Sequence, residues 1–275
     1  MGEERLVVDS VTVRFGGMTA LDGVSLHVPP NETVGVIGPN GAGKTTLFNV
    51  ICGFVSPSDG TLVLDGRPLR RHRPHDLAKL GIARTLQGVG LFPGLSVAEN
   101  VMAGATTTAR AGFVPNLFGL PRAGRDERRL RERAVAVMEE MRIGAWADRS
   151  PAELPYAIQK RVALARALVA DPALLLLDEP ASGLSEAEMA ELGHLIRRLS
   201  ERMSVLLVEH HMDLVMSVCD RLVVLDFGRV IATGPPDEVK ADPRVTRAYL
   251  GEDASGIGHG DMELDASDEP EGRSA

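Results

Sequence analysis

No stretch of this 275-residue sequence approaches the roughly 18 consecutive apolar residues that would cross a bilayer, so a membrane-embedded chain is not expected. Cysteine is scarce too. Cys52 and Cys219 are the only two, each within an apolar helical pattern, which reads as buried free thiols in a reducing compartment and not as a disulfide framework. The opening Met1-Gly2-Glu3-Glu4-Arg5 lacks the apolar core of a signal peptide, so the chain is expected to be soluble when isolated. Excess positive charge is missing as well. The net charge is −8, and −7 of it falls between Glu252 and Ala275, where eight acidic residues face Arg273 alone. A nearly neutral body offers no electrostatic footprint for nucleic acid. The acidic stretch has little apolar surface to bury and is expected to be a disordered tail over residues 252–275.

What is present points to phosphate chemistry. With 44% hydrophobic residues, the chain can bury one large core, alone or with a satellite subdomain. After the apolar run Val34-Gly35-Val36-Ile37 comes Gly38-Pro39-Asn40-Gly41-Ala42-Gly43-Lys44-Thr45-Thr46. This satisfies the nucleoside-triphosphate P-loop pattern in its required context of a strand before and a helix after. The glycines allow a tight bend that turns backbone N–H groups inward toward phosphates, and a helix starting near Lys44 adds its positive end. Lys44 is placed to reach the terminal phosphates, and the Thr45 hydroxyl is a candidate Mg²⁺ ligand. A Gly-rich turn that merely joins strand to helix is the alternative.

A second apolar run, Leu174-Leu175-Leu176-Leu177, ends in Asp178-Glu179. In a P-loop fold the first carboxylate can hold Mg²⁺, and the second can orient or deprotonate an attacking water. An ordinary acidic strand end is the alternative. Gln87 stands where a helical insertion should leave the sheet and is a candidate metal ligand and γ-phosphate sensor. His210, with His211 second, follows the apolar run 205–208 and can donate to charge developing on the phosphate.

The coarse pattern is α/β. Residues 34–37, 173–177 and 205–208 are continuously apolar, as strands buried on both faces require. They should form a central, mainly parallel sheet. Residues 6–15 and 61–69, the latter with an Asp65-Gly66 turn, read as antiparallel strands of a smaller sheet. Residues 96–170 read as mostly helical, opened by a capping box at Ser96 and Glu99, with Leu130, Ala134, Val137, Met138 and Met141 on one helix face. An inserted helical subdomain over about residues 90–170 follows from this.

Taken in order, these motifs resemble the ATP-binding subunit of ABC transporters over residues 5–251. Arg14-Phe15-Gly16-Gly17, Val215-Met216, Cys219-Asp220-Arg221 and Arg247-Ala248-Tyr249-Leu250-Gly251 are similar to the branched-chain amino acid importer branch. The resemblance implies a P-loop ATPase fold that uses ATP and Mg²⁺. It also implies pairing with a second ATP-binding subunit, either a copy of itself or a paralogue. The pair would sit on transmembrane permease subunits at the cytoplasmic face of the membrane, and a periplasmic or extracellular solute-binding protein would act indirectly. Substrates would be branched-chain amino acids, with urea or amide-type solutes as the alternative. Phe15 would stack on adenine, although it could instead pack beneath the small sheet. Leu154, Tyr156, Ala157 and Gln159 would belong to the signature that faces the partner's nucleotide.

That signature departs from the usual Leu-Ser-Gly-Gly-Gln. Pro155 offers neither a hydroxyl nor an N–H, and Ala157 adds a methyl group where backbone should approach phosphate. Ser185 replaces the usual Asp of Ser-Gly-Leu-Asp. A hydrolysis-poor regulatory half of a heterodimer is therefore a second expectation. Segment 104–124, with Phe113, Val114, Leu117, Phe118 and Leu120, is expected either to pack on its own subdomain or to help form a groove for a permease helix.

Overall fold

The computed structural model describes residues 4–69, 71–85, 88–105 and 121–255. Gln87, most of segment 104–124 and residues 256–275 lie outside the described residues.

The described residues form two sheets. The smaller is antiparallel, in the order β2-β1-β4-β5, from β1 (Leu6–Phe15), β2 (Met18–Val28), β4 (Asp59–Leu64) and β5 (Arg67–Pro68). The expected Asp65-Gly66 turn joins the last two, with φ of 49° and 72°. The larger has the order β10-β9-β3-β8-β7-β6, from β3 (Thr33–Ile37), β6 (Ile82–Arg84), β7 (Leu174–Asp178), β8 (Ser204–Val208), β9 (Arg221–Asp226) and β10 (Arg229–Gly234). Its pairings are parallel except that β10 runs against β9.

Alternate residues of the central strands feed two cores. Leu175, Leu177, Val205 and Leu207 join the helical side, while Leu174, Leu176, Leu206 and Val208 face the small sheet. Burial on both faces is why these strands are apolar without alternation. On the helical side, Gly35 permits close packing, since a Cβ there would lie 2.7 Å from both Cys219 Sγ and Leu222 Cδ2. Both neighbours are buried, so Gly35→Ala is expected to overpack this layer and lower the unfolding free energy by about 1–3 kcal/mol. Urea unfolding measures this, and an unchanged midpoint would show that the layer yields freely.

Among the described residues, three α-helices sit between β6 and β7: α2 (Val97–Ala103), α3 (Pro121–Glu140) and α4 (Tyr156–Leu168). Ser96 caps α2 as expected, its N–H donating to Glu99 Oε2 at 2.8 Å. On α3, Ala134 and Met138 are buried, as is Met141 just beyond it. The remaining helices are α1 (Lys44–Ile51), α5 (Glu186–Ser200), α6 (Met212–Val218), α7 (Pro236–Ala241) and α8 (Pro243–Ser255). The last of these includes the first four residues of the expected tail, 252–255. Both cysteines are free and buried.

Candidate nucleotide site

Three neighbouring strand ends converge on one edge of the large sheet. In the parallel register Val36 lies beside Val208, and Asp178 lies beside Val208 on the other side. The P-loop after β3, the Glu209-His210-His211 segment after β8 and the Asp178-Glu179 pair at the end of β7 therefore emerge side by side. Adjacent strands lie about 4.8 Å apart. Ligand crevices of α/β sheets form outside such carboxyl ends. Strand β6 extends this edge, placing Arg84 beside Leu176.

The loop is built as its glycines require. Gly38, at φ 148°, sits against the backbone of β9, where a Cβ would fall 2.0 Å from the Leu225 carbonyl oxygen. Gly43, at φ 103°, is the N-cap of α1 and equally constrained, with Ala20 O and Leu21 Cδ2 each 2.8 Å from an added Cβ. Gly228 clamps the loop to β2, donating its N–H to Ala42 O at 3.0 Å and accepting that of Asp22 at 2.8 Å. No side chain caps α1 and no acidic residue lies in its first turn. A helix start of this kind receives anions through backbone N–H groups and its positive end. Lys44 Nζ donates to the Gly38 and Pro39 carbonyls at 2.6 and 2.7 Å, so the ammonium lies over the loop. Thr45 is exposed beside it, while Pro39 and Ala42 are buried and Asn40 and Gly41 are exposed.

Asp178 is 6% exposed and paired with Arg84, whose Nη2 donates to Oδ2 at 2.8 Å. Arg84 also reaches Asn49 Oδ1 of α1 at 3.3 Å and lies over the rings of Phe48 and Phe54. The Thr45 hydroxyl and the Asp178 carboxylate are hard oxygen donors of the kind Mg²⁺ takes, and the arrangement fits a Mg²⁺-bound nucleotide. Glu179 occupies the left-handed region at φ 47°, its N–H donating to Val208 O at 2.9 Å. Non-glycine residues held there concentrate at functional sites.

His210 is the more open of the two histidines, and its ring lies 4.1 Å from that of His211. Glu209, which the sequence reading passed over, is buried beneath them at 1% exposure. Burial pushes its carboxyl upward, but hydrogen bonds from His211, Ala181 and His210 prevail and hold it below the usual range.

The signature residues open α4, with Pro155 as N-cap. Leu154 is buried and contributes its carbonyl, which accepts from Gln159 Nε2 at 2.9 Å. Tyr156 is 41% exposed and packs beside Gly183, where a Cβ would meet its ring at 2.9 Å. Lys160, a residue the motif reading did not single out, donates to the Pro180 carbonyl at 2.9 Å. Burial lowers its affinity for the proton, while Glu209 and Glu179 raise it. A cleft of about 370 Å³ joins Ala157 and Lys160 to Thr85, Gly88, Asp178 and Glu179, and no P-loop residue lines it. Ser185 caps α5 through a capping box with Glu188, so the position keeps a capping role that Asp also fills. Phe15, at the end of β1, is 52% exposed and does not pack into the core.

Comparison with known proteins shows the family and the fold. The family described as ABC transporter matches residues 21–182, and the branched-chain amino acid ATP-binding cassette transporter family matches residues 229–255. The chain is 40% identical over 254 residues to the high-affinity branched-chain amino acid transport ATP-binding protein BraF of Pseudomonas aeruginosa, covering 92% of this chain and 100% of the relative. It is 38% identical, over the same shares, to the corresponding LivG protein of Escherichia coli. Among solved structures, the ADP conformation of an ATP-binding cassette of an ABC transporter superposes with a TM-score of 0.78 at 29% identity, covering 90% of this chain and 99% of that one.

Proposed function

The chain belongs to the ABC transporter family of ATP-binding cassettes, and from that premise we propose that it is the ATP-hydrolysing subunit of an importer for branched-chain amino acids. The observation that carries this reading is the convergence of the P-loop, the Asp178-Glu179 pair and His210 at adjacent strand ends. The transported solute comes from the relatives' own descriptions and from the family matched at residues 229–255.

In this reading the backbone of residues 38–46 and the Lys44 ammonium receive the phosphate chain, and Phe15 stacks on the adenine. Thr45, Asp178 and Gln87 would hold Mg²⁺, which when bound would neutralise phosphate charge. Glu179 takes the proton of a water that attacks the γ-phosphorus as its bond to the β-phosphate oxygen breaks, giving ADP and phosphate. His210 donates to the developing charge. Tyr156, Ala157 and Gln159, carried by α4 behind Leu154, face the nucleotide of a second ATP-binding subunit. The pair then docks on permease subunits at the cytoplasmic face. Among the described residues, no helix is long and apolar enough to cross a membrane.

Mg²⁺-dependent ATP hydrolysis across a range of protein concentrations, with Lys44→Ala as the blank, tests the reading. Turnover should rise steeply with concentration as the chain pairs. Retained ATP binding without turnover would favour the silent half-site, for which Pro155 gives the specific reason: a helix N-cap with neither N–H nor hydroxyl. Restoring donors with Pro155→Ser and Ala157→Gly, while leaving Tyr156 against Gly183, separates the two. The active subunit should change less than about tenfold, whereas the silent one should gain the roughly 10²-fold that one preorganised donor supplies.

A further inference from the structure

One buried carboxylate joins the loops that leave β7 and β8, and the hydrolytic reading does not use it. Glu209 Oε1 accepts the Ala181 N–H at 2.9 Å. Its Oε2 accepts the N–H groups of His210 at 2.7 Å and His211 at 3.1 Å, and His211 Nδ1 at 2.8 Å. Ala181 lies two residues after Glu179, on the loop that ends at Ser185. The signature helix grips that loop from its other side, through Lys160 to the Glu179 and Pro180 carbonyls and through Tyr156 against Gly183. A carboxylate can only accept, so His211 Nδ1 bears the proton in this contact and its ring is fixed in one orientation.

We propose that Glu209 is a positioning residue for ATP hydrolysis, locking the loop that carries Glu179 to the His210-His211 segment so that both are set together with the signature helix. The hydrolytic groups stand on two strand ends, and a displacement of about 1 Å between such groups is enough to cost about 10²-fold in rate. Among the described residues, the Glu179 N–H bond to Val208 O is the hydrogen bond that would still join these two strand ends without Glu209. The alternative role for a buried carboxylate, a metal ligand with both histidines, is disfavoured because both of its oxygens are taken by N–H donors.

The inference depends on the hydrolysis reading for its rate measurement only. Glu209→Gln is the informative variant. Its amide nitrogen cannot accept, so the side chain should keep its oxygen on the three histidine donors and release Ala181. Two results are expected. Hydrogen exchange at the Ala181 amide in the nucleotide-free chain should quicken about tenfold or more while β7 and β8 stay protected. With active protein counted by nucleotide binding, kcat should fall about tenfold or more while KM for ATP stays within about twofold.

Unchanged Ala181 exchange overturns the proposal whether or not the wild-type chain hydrolyses ATP. So does a loss confined to the amount of folded protein, with kcat per nucleotide site intact. A wild-type chain without turnover would instead fail the hydrolysis reading and leave the exchange measurement to decide this one. Should the glutamine variant not fold, Glu209→Asp keeps the charge on a side chain too short to span both loops. It is expected to give the same exchange and kcat pattern.

Discussion

Glu179→Gln will retain ATP while hydrolysing it about 10²–10⁴-fold more slowly than the wild type, the range a positioned general base supplies. Glutamine matches the shape of glutamate but cannot take a proton from water. The backbone around Glu179 does not depend on its carboxylate. Glu179 is held at φ 47° by its N–H bond to Val208 O and by Lys160 at its carbonyl, and none of these contacts uses the carboxylate. Melting temperatures of the two proteins should therefore agree closely.

Glu179→Gly extends the test. A left-handed conformation burdens a non-glycine residue by about 1–2 kcal/mol, which offsets the added chain entropy of glycine. This variant should be no less stable than the wild type and equally slow. Single-turnover hydrolysis at saturating ATP is the measurement. A glutamine variant within about tenfold of wild type would remove Glu179 from the role of base.

How much could be read from the sequence depended on whether the chemistry was local. The P-loop was legible because its loop, its helix start and Lys44 lie within nine consecutive residues, and because Gly38 and Gly43 sit where any side chain would collide. The apolar runs at 34–37, 173–177 and 205–208 announced strands because the sheet is covered on both faces. Strand β2 was hidden. Its register against β1 shifts between Val11 and Val13, so Leu21 and Val24 are both buried although three positions apart, which breaks the alternation of period two.

The residues that hold the site together were hidden for another reason. Arg84 meets Asp178 across 94 positions and Glu209 meets Ala181 across 28, pairings that only the strand order creates. A signal existed for each, in a lone Arg ending the short strand β6 and a lone Glu at the end of an apolar one. Buried charges are paired or hydrogen-bonded, so such residues announce a partner without naming it. The signature showed the reverse. Its sequence departure was plain, but only the structure shows Tyr156 engaged with Gly183 and Lys160 and thus unsuited to replacement by glycine.

Arg84→Met is expected to lower the unfolding free energy by about 3–5 kcal/mol, the usual cost of leaving one partner of a buried ion pair uncompensated. Asp178 is 5% exposed at its side chain and Arg84 13%, so water cannot replace the lost guanidinium. Methionine keeps much of the stem that packs against Phe48 and Phe54, which confines the change to charge and hydrogen bonding. Asp178→Asn in the same chain should recover most of the loss, because it removes the stranded charge, and it should also abolish Mg²⁺-dependent turnover.

A second consequence separates this account from simple loss of packing. In Arg84→Met the uncovered carboxylate faces the nucleotide site without a counter-ion, so Mg²⁺ with ADP should raise its melting temperature more than that of the wild type. Arg84 would then act as a stand-in cation that holds the Asp178 carboxylate in place between nucleotide cycles, tied by Asn49 to the helix that begins at Lys44. Urea unfolding of the wild type and both variants, with thermal shifts in Mg²⁺–ADP and in EDTA, decides the matter. A loss under about 1 kcal/mol, or no recovery with Asp178→Asn, would mean that the pair is not what holds this end of β7.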